Sequence, residues 1–384
     1  MKRGIHMRKI QISEPAVGPE ALEDLRAVLN SGWLTQGPRV DEFETLFAAQ
    51  CGVAHAIATT SCTTAMHLAL AAAGIGPGDE VLVPAFTWVA TANVVLYCGA
   101  TPVLVDVDPL TFNLDPGQVA QRVTERTRAA IAVHLFGRCA EIAAVRAVLP
   151  PGTLILEDAA CAVGARQGGQ GAGTLGDVGA FSFHPRKIVT TGEGGMVTTN
   201  DATLAERMRA LRNHGASISE EQRHRGPLPY LLPEFNLLGY NYRMTDLQAA
   251  VGLSQLRRLD DLLAFRSRWA AWYRDRLAHL EWLRTPSEPA TGRHSWQSFV
   301  TFVDPMRAPL DRNTIMARLE AGGVSTRPGT HALHLLGLYR ERFGLAPDDY
   351  PGARACAEQS MAIPLHNRMT ADDFETVAAA LDAL

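Results

Sequence analysis

Three stretches of the chain end apolar runs in side chains that can do chemistry. Asp158 closes LILED (154–158), where a carboxylate at the end of a buried strand loses hydration. Such a group stays ionised only against a positive partner, so a cation should face it, in the simplest case an arginine in a structural ion pair. Glu157 alternates to the opposite side of the strand and is expected to be the solvated member of the pair. Lys187 lies just past the apolar GAFSF (179–183), flanked by Ser182, His184 and the turn GEGG (192–195). A desolvated lysine of this kind can form Schiff bases, although most lysines are simply solvated. In TTSCTTAMHLAL (59–70), small hydroxyl residues open an apolar helix after a strand. Free N–H groups and the helix dipole would then point at one spot and make an anion seat, unless Ser61 or Thr63 merely caps the helix.

These pieces answer one chemical requirement, that of pyridoxal 5′-phosphate (PLP). The cofactor needs an anion seat for its phosphate, a carboxylate for its pyridine nitrogen, an aromatic on its ring face and a lysine for its aldehyde. A dinucleotide is not implied: GAGTLG (171–176) satisfies G-x-G-x-x-G, but it leads into a strand, has no strand immediately before it and lacks the acid expected beyond it. It reads as a Gly-rich turn.

The elements that must position these residues follow from the pattern between Val53 and Asn200, where short apolar runs alternate with helical stretches as in βαβ units around a parallel sheet. VLVPA (81–85), TPVLVDV (101–107), AAIAVHLFG (129–137), TLILEDAA (153–160), GAFSF (179–183) and GGMVTTN (194–200) read as strands. Residues 63–73, 88–98 and 140–149 read as helices. A long amphipathic run, 244–280, is expected to bridge two domains. A strand (298–303), a helix (312–321), a strand or loop (324–328) and a terminal helix (371–384) then make a smaller α+β unit. The expected division is 1–250, an N-terminal arm and large cofactor-binding domain, and 251–384, the interdomain helix and small domain.

Composition narrows the function classes. The 384 residues are 47% hydrophobic and 20% charged with a net charge of −4, which excludes disorder and supplies no basic footprint for nucleic acid or anionic lipid. The most apolar long stretch, 90–105, is broken by Thr91, Asn93, Gly99 and Pro102, so no membrane span is expected. MKRGIHM leads into RKIQISEP without an apolar signal-peptide segment, and Met7 offers an alternative start. Six cysteines form no CxxC pair, which argues against a disulfide framework or a metal site and for a reducing cytoplasm.

Over nearly its whole length the sequence resembles the DegT/StrS branch of fold type I PLP-dependent aminotransferases, the sugar aminotransferases. The stretches that carry the resemblance are SGWLTQGPRVDEFE (31–44), 63–108 from TTAMHLAL to PVLVDVD, VHLFGR (133–138), EDAACAVGA (157–165), GTLGDVGAFSFHPRKIVTTGEGGMV (173–197) and GYNYRMTDLQAAVGLSQL (239–256). The resemblance implies an α/β fold like that of aspartate aminotransferase, with a mostly parallel seven-stranded sheet flanked by helices and a smaller C-terminal α+β domain. It implies that Lys187 is the Schiff-base lysine and proton shuttle, that Asp158 pairs with the pyridinium nitrogen and that Trp88 stacks on the ring. Thr63, Thr64 and Ser182 match phosphate-binding positions, and Asn241 matches an asparagine reaching the phosphate from a neighbouring subunit. A homodimer with shared active sites is therefore implied.

Two positions depart from the family pattern. Cys62 stands where many relatives have Gly, and Cys161 where they carry Gln or His near the cofactor's phenolic oxygen; a thiol is a weak hydrogen-bond partner. Family dehydratases replace the Schiff-base lysine by histidine, so the retained Lys187 favours transamination. The expected reaction carries an amino group from L-glutamate or L-glutamine, through the pyridoxamine form of the cofactor, to a keto sugar. A nucleotide-linked keto-deoxysugar is the expected acceptor, with a ketocyclitol or free keto sugar as alternatives. An elimination or dehydration of a sugar is the competing chemistry. A non-catalytic regulator would need an added DNA-binding module or a lost lysine, and the sequence shows neither. Trp33, His184, Glu193 and RPGTHALH (327–334), which includes His331, are candidates for lining the substrate cavity, with Trp296 and Gln297 entering from the small domain.

Overall fold

Seven short, almost wholly buried runs build the central sheet of the computed structural model, which describes residues 9–218, 223–224, 226–227 and 229–384. Met7, the alternative start, lies outside the described residues. The strands are β1 (His55–Thr59), β2 (Glu80–Pro84), β3 (Thr101–Val105), β4 (Thr127–Val133), β5 (Leu154–Asp158), β6 (Val178–Ser182) and β7 (Gly195–Thr199), in the order β1-β7-β6-β5-β4-β2-β3. All pairings from β6 through to β3 are parallel, and β7 runs antiparallel to both β6 and β1.

The strands read as continuous apolar runs because helices cover both faces. After the N-terminal helices α1 (Glu20–Ser31) and α2 (Pro38–Cys51), α3 (Cys62–Ala72) and α4 (Ala90–Tyr97) pack with Val81, Val83, Ile131 and Leu156 on one side. Leu82, Ala130, Ala132 and Ile155 point the other way. The period-2 alternation of a strand thus feeds two cores from one run. Phe43, Phe47, Phe181 and Phe183 form an aromatic cluster under Leu253 and Leu256 in a further core.

The expected helix over 244–280 is two helices, Asp246–Leu256 and Leu259–Arg276, interrupted at Arg257 and Arg258. Apolar spacing continues across the break, so periodicity alone could not show it. The backbone leaves helical geometry at Arg258, Arg257 pairs with Asp24 and Glu42, and the chain resumes so that Leu259, Leu262 and Leu263 stay with the large core while Ala270 and Tyr273 join the small one. The small C-terminal domain carries an antiparallel sheet of Leu283–Arg284, Phe299–Val303 and Ser360–Ile363, covered by helices that include Arg312–Ala321 and Ala371–Asp382. Its 298–303 strand and 312–321 helix fall where expected, whereas 324–328 makes only isolated bridges, Val324 to Ile10 and Arg327 to Ala362. Among the described residues all six cysteines are free, no helix is long and apolar enough to cross a membrane, and no cluster of His, Cys, Asp and Glu could hold a metal.

Trp296 lies in this small core, 1% exposed, which corrects the expectation that it faces substrate. His294 stacks on it at 4.0 Å, and His294 Nδ1 accepts the Trp296 N–H at 2.8 Å. Burial, reinforced by Arg138 and Arg274, pushes His294 down to about 3. The folded state therefore holds a neutral imidazole that the unfolded chain protonates below about pH 6.5. Stability from this group is present above that value and is lost as pH falls toward 3, at about 1.4 kcal/mol per pH unit. Urea unfolding at pH 5 and 7 should show that slope reduced in His294→Asn, and an unchanged slope would refute the assignment.

Candidate active site

Asp158 ends β5 and is buried. Oδ2 accepts from Thr91 Oγ1 at 2.8 Å, and Oδ1 accepts from the Ala160 N–H at 3.2 Å. Thr91 is itself hydrogen-bonded to Thr87 Oγ1 at 3.0 Å. These partners hold the carboxylate in place, yet no cation pairs with it among the described residues; the arginine partner of the structural-ion-pair reading is not there. A buried carboxylate so arranged is completed by an N–H cation from a bound group, and a protonated pyridine nitrogen is one. Sequence reading missed Thr91, which it counted only as a break in an apolar stretch; the i,i+4 spacing from Thr87 was the available signal.

Glu157 is not solvated, correcting the expectation: it is 0% exposed. Oε2 accepts from His134 Nε2 and the Gly173 N–H, both at 2.7 Å, and Oε1 accepts from the Gly176 N–H at 2.6 Å. Because His134 Nδ1 accepts the Ala140 N–H at 3.0 Å, the imidazole proton sits on Nε2, facing Glu157. GAGTLG is indeed a Gly-rich turn, and its N–H groups cradle an anion after all: the protein's own carboxylate.

Lys187 sits in the loop between β6 and β7, partly buried, with Nζ 3.2 Å from Cys161 Sγ. Two glutamines fix this loop. Gln297 donates from Nε2 to Arg186 O at 2.5 Å and accepts the Ile188 N–H at 3.1 Å, gripping the backbone on both sides of Lys187. Gln255 does the same at Thr190, accepting its N–H at 3.0 Å and donating to its carbonyl at 2.7 Å. Gln297 is thus a buried clamp on the lysine loop. Cys62, at the start of α3, lies in the field of Asp158, Lys187 and Cys161, and burial, then Asp158, pushes its thiol well above the ordinary range. The two unusual cysteines and the two charged residues therefore share one small region at the carboxyl ends of the strands, where ligands of open α/β sheets bind.

The anion seat forms where α3 meets the sheet. Ser61 caps the helix and shares a capping box with Thr64, whose Oγ1 accepts the Ser61 N–H at 3.0 Å. The first helical bond is Ala65 N–H to Ser61 O, so the N–H groups of Cys62 and Thr63 precede the helical ladder. Ser182 pairs in register with Gly195, and a side chain at Gly195 would strike the Ser61 and Cys62 backbone. Glycine is required there for the helix start to approach β7 and stand beside Ser182. Thr63, Thr64 and Ser182 are thus brought together, with the Thr64 hydroxyl already used in the cap.

Trp88 follows the strand pair Phe86–Thr87 and His331–Ala332, is 58% exposed, and meets the His331 ring edge-on at 5.5 Å. Its neighbours Thr87 and Thr91 tie it to Asp158. His184 lies beside Lys187, which donates its N–H to His184 O at 2.8 Å. Burial lowers the His184 pKa while the Glu193 carboxylate opposes the shift. Trp33 Nε1 donates to Gln36 O at 2.8 Å, and its ring meets His224 edge-on. Asn241 is exposed and forms a backbone bridge with Asn213.

A family model, DegT/DnrJ/EryC1/StrS aminotransferase family, matches residues 15–382. The chain is 42% identical to GDP-perosamine synthase of Caulobacter vibrioides over 97% of this chain and 98% of that protein. Its fold matches the aminotransferase TlmJ of Streptoalloteichus hindustanus with a TM-score of 0.88 at 34% identity, covering 97% and 98% of the two chains. It also matches Spr1654 of Streptococcus pneumoniae in its pyridoxamine-phosphate form, with a TM-score of 0.90 at 27% identity over 97% and 99% of the chains; the PLP form matches as well.

Proposed function

The chain belongs to the DegT/DnrJ/EryC1/StrS aminotransferase family, and from that premise we propose that it transfers an amino group from L-glutamate or L-glutamine to a nucleotide-linked keto-deoxysugar. The observation that carries this reading is the pair of unmatched groups at the strand ends: a buried Asp158 held by Thr91 but lacking a cation, and Lys187 on a clamped loop with only a thiol at its Nζ. The similarity to a protein named GDP-perosamine synthase supports a nucleotide-linked sugar as acceptor.

PLP, when bound, supplies an electron sink that delocalises the charge left at the substrate carbon. Asp158 would hold the proton on its ring nitrogen, and Lys187 Nζ would attach its aldehyde and later carry a proton to and from the substrate carbon. Thr63, Thr64 and Ser182, with the N–H groups at the start of α3, would hold the phosphate. Trp88, whose ring is exposed, would cover the cofactor face, and Cys161 would stand near the phenolic oxygen. His184, Glu193 and His331 would line the acceptor cavity.

The assembly would be a homodimer with shared sites. Tyr230, Leu232, Phe235 and Leu238 expose their side chains just before Asn241, and Leu238 is 92% exposed. A second copy covering this strip would bury apolar surface and bring Asn241 toward the partner's phosphate seat. Sedimentation of the holoenzyme at monomer mass would exclude this assembly.

The test of the reaction is spectroscopic. Adding L-glutamate or L-glutamine to the PLP-loaded enzyme should replace the visible band of lysine-bound cofactor with the pyridoxamine band and release one 2-oxo acid per site. An unchanged band with both donors would overturn the reading. Sugar turnover without stoichiometric 2-oxo acid would establish elimination instead.

A further inference from the structure

Lys187 Nζ donates to Cys161 Sγ at 3.2 Å, and both side chains are half-buried rather than sealed in a core. One short segment of the small domain fixes the backbone on each side of this contact. Ser295 Oγ donates to Cys161 O at 2.9 Å, and Gln297 grips the peptide groups flanking Lys187. The meeting of thiol and amine is thus built on two anchored backbones. Elsewhere burial pushes the Cys51, Cys62, Cys98, Cys139 and Cys356 thiols up, to about 11 at Cys98 and about 12 at Cys139. Thiols held protonated in apolar surroundings are inert.

A thiol that meets a hydroperoxide becomes a sulfenic acid, and its fate then depends on the group beside it. A second thiol gives a disulfide, the next backbone nitrogen a cyclic sulfenamide, and an amine an S–N bond. Here the first two partners are already engaged. Cys62 directs its thiol to Asp158 Oδ1 at 4.0 Å, and the Ala162 N–H donates to Ala159 O at 2.9 Å. Lys187 Nζ is the group at the sulfur. An S–N bond is roughly half as long as their separation, a gap that the flexible four-carbon stem of lysine can close without moving the clamped backbone.

We propose that Cys161 and Lys187 form a reversible redox cross-link, in which a hydroperoxide oxidises Cys161 and Lys187 Nζ then bonds to its sulfur. In the first step Sγ takes a hydroxyl group and gives two electrons to the breaking O–O bond of hydrogen peroxide, whose other oxygen leaves as water with the thiol proton. In the second the Nζ lone pair attacks Sγ, the S–O bond breaks, and hydroxide leaves as water with a proton from the nitrogen. A small thiol reverses the bond by attacking Sγ and releasing the amine, and a second one frees Cys161 from the mixed disulfide. While the bond stands, Nζ cannot attach the cofactor aldehyde, and the sulfur is kept from the irreversible sulfinic stage. The bond needs a free Nζ, which is present in the cofactor-free chain and in the half of the cycle in which the cofactor carries the amino group. That timing rests on the aminotransferase reading, whereas the bond itself rests on the contact.

The test exposes three preparations of the full chain to hydrogen peroxide: PLP-loaded, PLP-loaded and treated with L-glutamate, and stripped of cofactor with hydroxylamine. Peptide mass spectrometry of the stripped chain should show the Cys161 and Lys187 peptides joined with the loss of two hydrogens. That chain should fail to regain the band of lysine-bound PLP until dithiothreitol is added. Cys161→Ser should give no joined peptides and should regain its own band after peroxide alone, and Lys187→Ala should carry Cys161 on to the sulfinic acid. A sulfinic acid at Cys161 of the stripped wild type with Lys187 unmodified, or a disulfide to Cys62, would overturn the proposal. Joined peptides in the stripped chain but not after glutamate, with the PLP band unchanged by that donor, would uphold the cross-link and count against the glutamate half-reaction instead. Equal joining in the PLP-loaded and stripped chains would uphold the cross-link and remove Lys187 as the point of cofactor attachment.

Discussion

Lys187→Ala is expected to lower steady-state transamination by at least ~10³-fold while the protein still folds and binds cofactor. The loss combines the covalent attachment point with the group that moves the proton, and a positioned acid–base group alone contributes about 10²–10⁴-fold. Retention of the fold follows from how the loop is held. Its fixed points are backbone groups: the Lys187 N–H on His184 O, Arg186 O and the Ile188 N–H on Gln297, and both peptide groups of Thr190 on Gln255. The Lys187 side chain contributes one contact to a thiol, so its removal should change stability by no more than about 1 kcal/mol. The variant should bind PLP without forming the reducible Schiff base, so borohydride should leave no label on the protein. Normal turnover, or a label at another lysine, would remove Lys187 from the mechanism.

The sequence placed Lys187 and Asp158 because both end apolar runs, where an ionisable group is conspicuous on hydration grounds alone. The parallel sheet was equally readable, since strands covered on both faces carry an uninterrupted apolar signature. What spacing cannot tell is which loop comes back to cover a given face. Glu157 was assigned to the opposite side of its strand, which follows from alternation, and then to water, which does not: a turn 16 to 19 residues further on closes over it. Trp296 was placed at the substrate for the same reason, its position on the small domain being legible but not its direction. It fills a core instead, and the grip of Gln297 on the lysine loop was equally hidden. Thr91 was hidden because a hydroxyl in an apolar helix has no value until its acceptor, 67 residues away in sequence, is known.

Glu157→Ala is expected to destabilise the protein by about 3–5 kcal/mol, the cost of breaking a fully buried charged network by removing one partner. Three donors converge on its two oxygens, and alanine would leave His134 Nε2–H and the Gly173 N–H unsatisfied in the buried interior, with the Gly176 N–H unsatisfied at its edge. The turn is closely fitted against the sheet. Gly176 lies so close to Ile155 O that an added Cβ would sit 2.7 Å from it, and Gly173 adopts a φ of +87°. Glutamine should rescue only part of the loss, about 1–3 kcal/mol remaining, because its single carbonyl oxygen can serve either the Oε1 donor or the Oε2 donors while its amide N–H₂ opposes the other. The network holds the underside of the strand whose next residue is Asp158, so its effect on chemistry is indirect. Activity per folded molecule should fall far less in Glu157→Gln than in Lys187→Ala. Urea unfolding of the three proteins tests the ordering, and a Glu157→Ala loss below about 1 kcal/mol would mean that the cradle is hydrated and that the carboxylate is not what holds the Gly-rich turn against the sheet.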